Sequence, residues 1–376
     1  MTLAAALCRA LRSRPTLALA SVALALAAAE GVVHVFEIGP EISAVYRENY
    51  RLADDPVLRY ELVPGSPDGE TRINADGMRD RDHEVDKATG VFRIACLGDS
   101  ITYGFGVRRA AAYPARLERR LARSLRRAGV AVEVLNFGVT GYSIEQTLQN
   151  LRVRALAYQP DVVITQYALN DPQEYSSEME NLESALTGAE QSYRERLLDR
   201  GRRNLLASRL FALAAYTWQS TTRAGRTRAP TQPDAQWLAL QGGSYAEYFS
   251  SLHADPAAWG RVERGFGSLA TMARRHGFEA LVVVFPVFED LDRYPLRGVH
   301  ERVLAAARAA PLPALDLLAS YERSEREGER SLAVNSLHPN ALGHEIAARA
   351  IADELAARGW LPRASPFDAD ADAAPN

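Results

Sequence analysis

The chain has 376 residues, of which 47% are hydrophobic, 24% charged and 8% aromatic. These values suit one large α/β domain with additions and exclude wholesale disorder or a collagen-like chain. A net charge of −3 leaves no cationic surplus to neutralise phosphates, which argues against a nucleic-acid binder. Lys87 is the only lysine. There is therefore no P-loop and no Ser-x-x-Lys signature, and a pyridoxal Schiff base would have to use Lys87 in a polar stretch.

Arg9, Arg12 and Arg14 precede an apolar run from Pro15 to Ala29, the pattern of an export signal. Ala27-Ala28-Ala29 would suit signal peptidase, which keeps a cleaved, secreted form open. Apolar residues resume at Gly31-Val32-Val33-His34-Val35-Phe36, close to the roughly 20 residues a bilayer needs. That continuation favours an uncleaved anchor over residues 1–37. Either way the arginines stay cytoplasmic and the remainder is periplasmic or extracellular.

Residues 38–90 are polar and rich in turn signals, and read as an extended lead-in laid over the main domain. Strict alternation follows. Val91–Leu97 reads as a strand, Ala111–Arg127 as a helix with Leu117, Leu121 and Leu125 four apart, and Val130–Phe137 as a strand. Ser143–Tyr158 reads as a helix capped by Ser143, and Asp161–Tyr167 as a strand. An insertion over 171–260 contains an amphipathic helix near Arg196–Trp218, either packed on the domain or acting as a lid or membrane contact. Helix Arg261–His276, strand Ala280–Phe285, helix His300–Ala309, strand Ala314–Leu317 and helix Asn340–Arg358 complete the domain, 91–362. The tail 363–376 reads as disordered. Alternating strands and helices imply an α/β three-layer sandwich around a parallel sheet, here of five strands. Cys8 and Cys96 are poor disulfide partners, and Cys96 reads as a core residue. The histidines lack ligand spacing, so neither a metal nor a cofactor is expected.

Ligands of such sheets bind beyond the carboxyl ends of the strands, and the informative residues sit there. Gly98-Asp99-Ser100 follows the first strand and places a hydroxyl on a strand-to-helix turn. Asn136-Phe137-Gly138-Val139-Thr140-Gly141 follows the second, where a glycine lets a backbone N–H approach a substrate oxygen. Ala168-Leu169-Asn170-Asp171 follows the third, and an asparagine amide is a neutral donor for a developing oxyanion. Asn335-Ser336-Leu337-His338 precedes the last helix, from which a histidine can serve as general base.

This ordered set resembles the SGNH (GDSL-type) hydrolases over roughly residues 91–358. The lead-in Arg72-Ile73-Asn74-Ala75-Asp76-Gly77-Met78-Arg79-Asp80 resembles membrane-anchored bacterial members. The resemblance implies a flavodoxin-like sheet and an acyl-enzyme mechanism. It makes Ser100 the nucleophile, His338 the base, and Ser100, Gly141 and Asn170 the oxyanion hole.

Two positions depart from the pattern. Ala168 holds the place of the usual Gly-x-Asn glycine, and Asn335 holds the place of the aspartate of Asp-x-x-His. Asn335 leaves three readings open. Asn335 or a backbone carbonyl orients a Ser-His dyad; another carboxylate, Asp316 or Glu345, substitutes; or the site is impaired and the protein only binds. Asp99 reads as a loop-holding residue and His344 as a packing residue. Gly104-Phe105-Gly106 reads as a turn near the serine. The expected function is a serine esterase removing O-acetyl or other acyl groups from a carbohydrate, cell-envelope or lipid substrate. The alternatives are an exopolysaccharide O-acyltransferase and a catalytically impaired binding protein.

Overall fold

The computed structural model describes residues 49–69, 71–126, 129–174, 244–328 and 331–362, together with positions 21, 25, 26, 28 and 29. The chain divides into two compact units, residues 1–42 with 191–228 and residues 43–190 with 229–376. The described residues from 49 onward belong to the second. Most of the expected anchor, the helix near 196–218 and the tail lie outside the described residues. Among the described residues no helix is long and apolar enough to cross a membrane.

The lead-in forms two small antiparallel hairpins. In the first, β1 (Tyr50–Leu52) pairs with β2 (Tyr60–Leu62), and in the second β3 (Pro67–Asp68) pairs with β4 (Thr71–Arg72). Tyr50, Leu58, Tyr60, Leu62 and Ile73 of the lead-in form a buried cluster with Tyr103, Val139 and Tyr142 of the main domain.

Five parallel strands follow: β5 (Val91–Leu97), β6 (Ala131–Asn136), β7 (Val162–Tyr167), β8 (Glu279–Val284) and β9 (Ala314–Asp316). Their order is β6-β5-β7-β8-β9, the flavodoxin-like winding of a doubly wound sheet. The near-continuous apolar runs are what a sheet buried on both faces requires. Arg93 is the exception inside β5. It is buried because its guanidinium meets Glu133 and the carbonyls of Val85, Glu84 and Tyr158.

The short helix α1 (Ser100–Tyr103) leaves β5 directly, and α2 (Tyr113–Leu125) returns the chain to β6. The connection from β6 to β7 is α3 (Ile144–Val153), capped by Ser143 and Gln146 in a reciprocal capping box. The expected single helix over Ser143–Tyr158 breaks at Arg154, beyond which Ala155–Tyr158 tightens into a 3₁₀ turn. Before β8 come α4 (Tyr245–Ala254) and α5 (Pro256–His276). The latter starts earlier than the apolar pattern suggests because Asp255 caps it and Pro256 is its first residue. Then follow α6 (Arg297–Ala309), α7 (Leu318–Arg326) and α8 (Ala341–Ala357). The sequence reading missed α7, whose nine residues carry mostly polar side chains and bury only Leu318, Tyr321 and Ser324. Helices α2 and α8 pack together, as do α3 and α5.

Candidate active site

Three loops at the carboxyl ends of adjacent strands β6, β5 and β7 converge with the turn before α8. Ser100 is the first residue of α1 and is buried, 7% exposed. Asp99 caps this helix by accepting from the Ile101 N–H, and its own N–H donates to Gln166 Oε1. Gly98 is obligatory there, since a Cβ would overlap Gln166 Oε1 and Thr102 Oγ1. Gln166 thus locks the turn that presents the serine, accepting from both Asp99 and Thr102. A polar pair, Thr165-Gln166, near the end of the buried strand Val162–Tyr167 was the sequence signal for it, and was missed.

His338 lies beside the serine although 238 residues separate them in the chain. Its Nε2 is 2.8 Å from Ser100 Oγ. Its Nδ1 is 2.9 Å from Asn335 Oδ1. The same Asn335 oxygen accepts the backbone N–H groups of Leu337 at 2.9 Å and His338 at 3.0 Å. Two backbone donors can be met only by an acceptor, so the carboxamide oxygen, not the nitrogen, faces the imidazole. His338 therefore carries its proton on Nδ1 and leaves Nε2 as an acceptor for the serine hydroxyl. The loop is closed by the Val334 N–H bond to His338 O and held from outside by Phe288 N–H donating to Ser336 O.

Among the described residues, no carboxylate is hydrogen-bonded to this imidazole. Burial pushes the His338 pKa down to about 3. The Phe105 ring lies over it, with centroids 4.5 Å apart. Phe105 occupies the glycine-flanked turn already recognised as close to the serine, but its contact with the histidine was not foreseen.

The two carboxylates that might have substituted are engaged elsewhere. Asp316 Oδ1 is 2.9 Å from His300 Nδ1, and Glu345 binds Arg116 and Arg120. His344 is buried, and its Nδ1 accepts from the Tyr113 N–H in the contact between α2 and α8.

Gly141 stands in the left-handed region at φ 78°, a conformation that glycine adopts without penalty. Asn170 lies at the end of the β7 loop, with its Nδ2 donating to Asp99 Oδ2 over 3.4 Å. Beside it, Asp171 is fully buried, and burial first, then the Asp99 charge, raises its carboxyl well above the usual range. The loops are tied to one another by Val139 N–H to Gly98 O and Ile144 N–H to Asp171 O. Cys96 is buried in β5, and burial raises its thiol pKa, so it is no competing nucleophile.

The profile of the GDSL-like Lipase/Acylhydrolase family matches residues 96–346. No curated protein matches the chain. Among solved structures, an alpha/beta hydrolase enzyme from the metagenome of Lake Arreo, Spain, is 15% identical with a TM-score of 0.41, over 74% of this chain and 99% of that one. A two-domain esterase active on acetylated mannans is 15% identical with a TM-score of 0.40, over 73% of this chain and 52% of that one. A variant of an acetyl-xylooligosaccharide esterase from Geobacillus Stearmophilus is 17% identical with a TM-score of 0.41, over 72% of this chain and 97% of that one. The chain belongs to the GDSL-like lipase/acylhydrolase family, whose members are ester hydrolases.

Proposed function

We propose that this GDSL-family acylhydrolase is a serine esterase in which Ser100 attacks the ester carbonyl and His338 moves the proton. The observation that carries the reading is the continuous Asn335–His338–Ser100 hydrogen-bond chain. It supports turnover over a purely binding role, because an asparagine oxygen pinned by two backbone N–H groups preserves the tautomer the reaction needs.

In this reading His338 Nε2 accepts the Ser100 proton as Oγ bonds to the carbonyl carbon. Oxyanion stabilisation is assigned to the backbone N–H groups of Ser100 and Gly141 and the Asn170 amide. Collapse of the tetrahedral intermediate passes the proton from Nε2 to the departing alcohol. Water then repeats the sequence in reverse, with His338 again accepting a proton, and frees the acid. Asn335 orients the imidazole but contributes only a dipole to the imidazolium that forms.

The substrate class is an acyl ester, O-acetyl or longer, on a carbohydrate, envelope polymer or lipid. The basic and apolar N-terminal pattern supports this, since an exported and tethered enzyme meets such polymers first. Membrane anchoring over 1–37 and a catalytic domain outside the cytoplasm belong to the same proposal.

The test is short-chain aryl-ester hydrolysis by the full-length protein in detergent, beside its Ser100→Ala variant. Turnover that disappears with the serine, and fluorophosphonate labelling confined to Ser100, are expected. A folded protein with neither would remove Ser100 as nucleophile.

A further inference from the structure

The lead-in reaches into the site through one buried cation. Arg79 is 2% exposed, and its guanidinium makes four hydrogen bonds. Nε pairs with Asp68 Oδ2 at 2.7 Å. Nη1 donates to the carbonyls of Tyr103 at 3.0 Å and Gly104 at 2.9 Å, and Nη2 to that of Val107 at 2.9 Å. Those carbonyls belong to the end of α1 and to the turn that carries Phe105. The last carbonyls of a helix lack intrahelical partners, and at this buried end Arg79 serves the Tyr103 carbonyl and joins the Val107 N–H on that of Gly104. Asp68 in turn is fixed by Thr71 Oγ1 and the Tyr103 hydroxyl. The lead-in also grips the second loop. Tyr60 OH donates to Thr140 O at 3.0 Å, immediately before Gly141, and Tyr142 OH returns a bond to Tyr60 O at 2.6 Å. Asp80 accepts from the Asn136 N–H at the end of β6.

We infer that residues 49–83 are a positioning element of the catalytic site, with Arg79 fixing the Ser100–Phe105 turn and Tyr60 fixing the Gly141 loop. The inference rests on the assignment of Ser100 as nucleophile, but its geometric half does not. Arg79 touches no reacting atom. It determines where α1 ends, and hence where Ser100 and the Phe105 ring stand relative to His338. Only a planar fork with several donors can meet one carboxylate and three carbonyls at once, so lysine is a partial substitute.

The test compares wild type, Arg79→Lys, Arg79→Met and Tyr60→Phe as full-length proteins, scored per folded molecule. Three readouts are taken: kcat and KM for an aryl ester, thermal unfolding, and peptide-level hydrogen exchange. Misplacement of about 1 Å costs on the order of 100-fold in rate. The expected results are a fall in kcat of at least about 10-fold for Arg79→Met, partial recovery in Arg79→Lys, and a fall of a few-fold in Tyr60→Phe. KM should stay within about 2-fold throughout, because the loss is in positioning. Exchange should quicken in the peptide spanning 100–108 and stay unchanged in strands β7 and β8. If Arg79→Met folds poorly, Tyr60→Phe, which removes one hydroxyl, decides the matter. Unchanged kcat in Tyr60→Phe and Arg79→Lys, or quickened exchange spread evenly over the sheet, would overturn the inference. If wild type itself has no turnover, the esterase reading fails, and the local exchange pattern alone decides whether Arg79 holds the turn.

Discussion

The most informative perturbation is Asn335→Asp, because it adds a charge and leaves the shape alone. A carboxylate at this place still accepts the Leu337 and His338 backbone N–H groups and the Nδ1 proton. Centred about 4 Å from the imidazolium charge, it would contribute about 4 kcal/mol at an effective dielectric of about 20. Asn335 and His338 both keep part of their surface in solvent, and screening reduces this to roughly 2 kcal/mol. That corresponds to about 1.5 pKa units. The wild-type imidazole, lowered to about pKa 3 chiefly by burial, stays neutral well below the ordinary histidine range. Its kcat/KM should therefore stay flat on the acid side well below the ordinary histidine range. In Asn335→Asp the acid limb should move up by about 1 to 2 pH units. The same charge stabilises the imidazolium formed during acylation, so kcat at pH 8 should be retained or raised, by at most about 30-fold. The assay is the pH dependence of kcat/KM on a soluble aryl ester, with both proteins checked for folding at each pH. An acid limb that does not move, or a loss of turnover beyond 10-fold, would refute the argument that the pinned carboxamide differs from a carboxylate only in charge.

Asn170→Ala should cost roughly 10²- to 10³-fold in kcat, the usual effect of losing an oxyanion donor, and an unchanged kcat removes it from the hole. Asp316→Asn and Glu345→Gln should each leave kcat within about 3-fold at pH 8, since those carboxylates serve His300 and the arginines of α2. A large loss in either would reinstate it as a catalytic orienter. His253 donates from Nδ1 to Phe249 O and accepts the Tyr167 hydroxyl at Nε2, and burial lowers its pKa to about 4. Its folded pKa lies below the unfolded value of about 6.5, so the stability it contributes is complete above that value and is lost as pH falls toward 4. Urea unfolding at pH 7.5 and 5 should show about 2 kcal/mol less pH dependence in His253→Gln than in wild type.

What the sequence revealed and what it hid divide along a physical line. Buried strands such as Glu279–Val284, apolar from Ala280 onward, announce themselves because a sheet covered on both faces demands continuous apolar runs. Ser100 stood out because it follows a strand end, and Asn335 and His338 because they precede the last helix; the structure brings those three together. Whether Asn335 presents its oxygen or its nitrogen was not legible, for that depends on backbone N–H directions in one turn. Arg79 was hidden for a similar reason. A motif of polar residues in a lead-in looks solvated until the carbonyls it serves are placed around it. Helix α7 was missed because it buries too narrow a stripe to set up a period.

The separation of 238 residues between Ser100 and His338 bears on when the enzyme comes alive. At about 5 to 20 residues per second, roughly 10 to 50 s of synthesis pass between the two. Until residue 338 is made, the Ser100 hydroxyl lacks the imidazole that it meets in the folded chain. A contact so distant in sequence also forms late in folding, because the chain must be nearly ordered before its ends can meet. If Ser100 is the nucleophile and His338 its base, ester cleavage waits until residue 338 has been made and has folded onto residue 100.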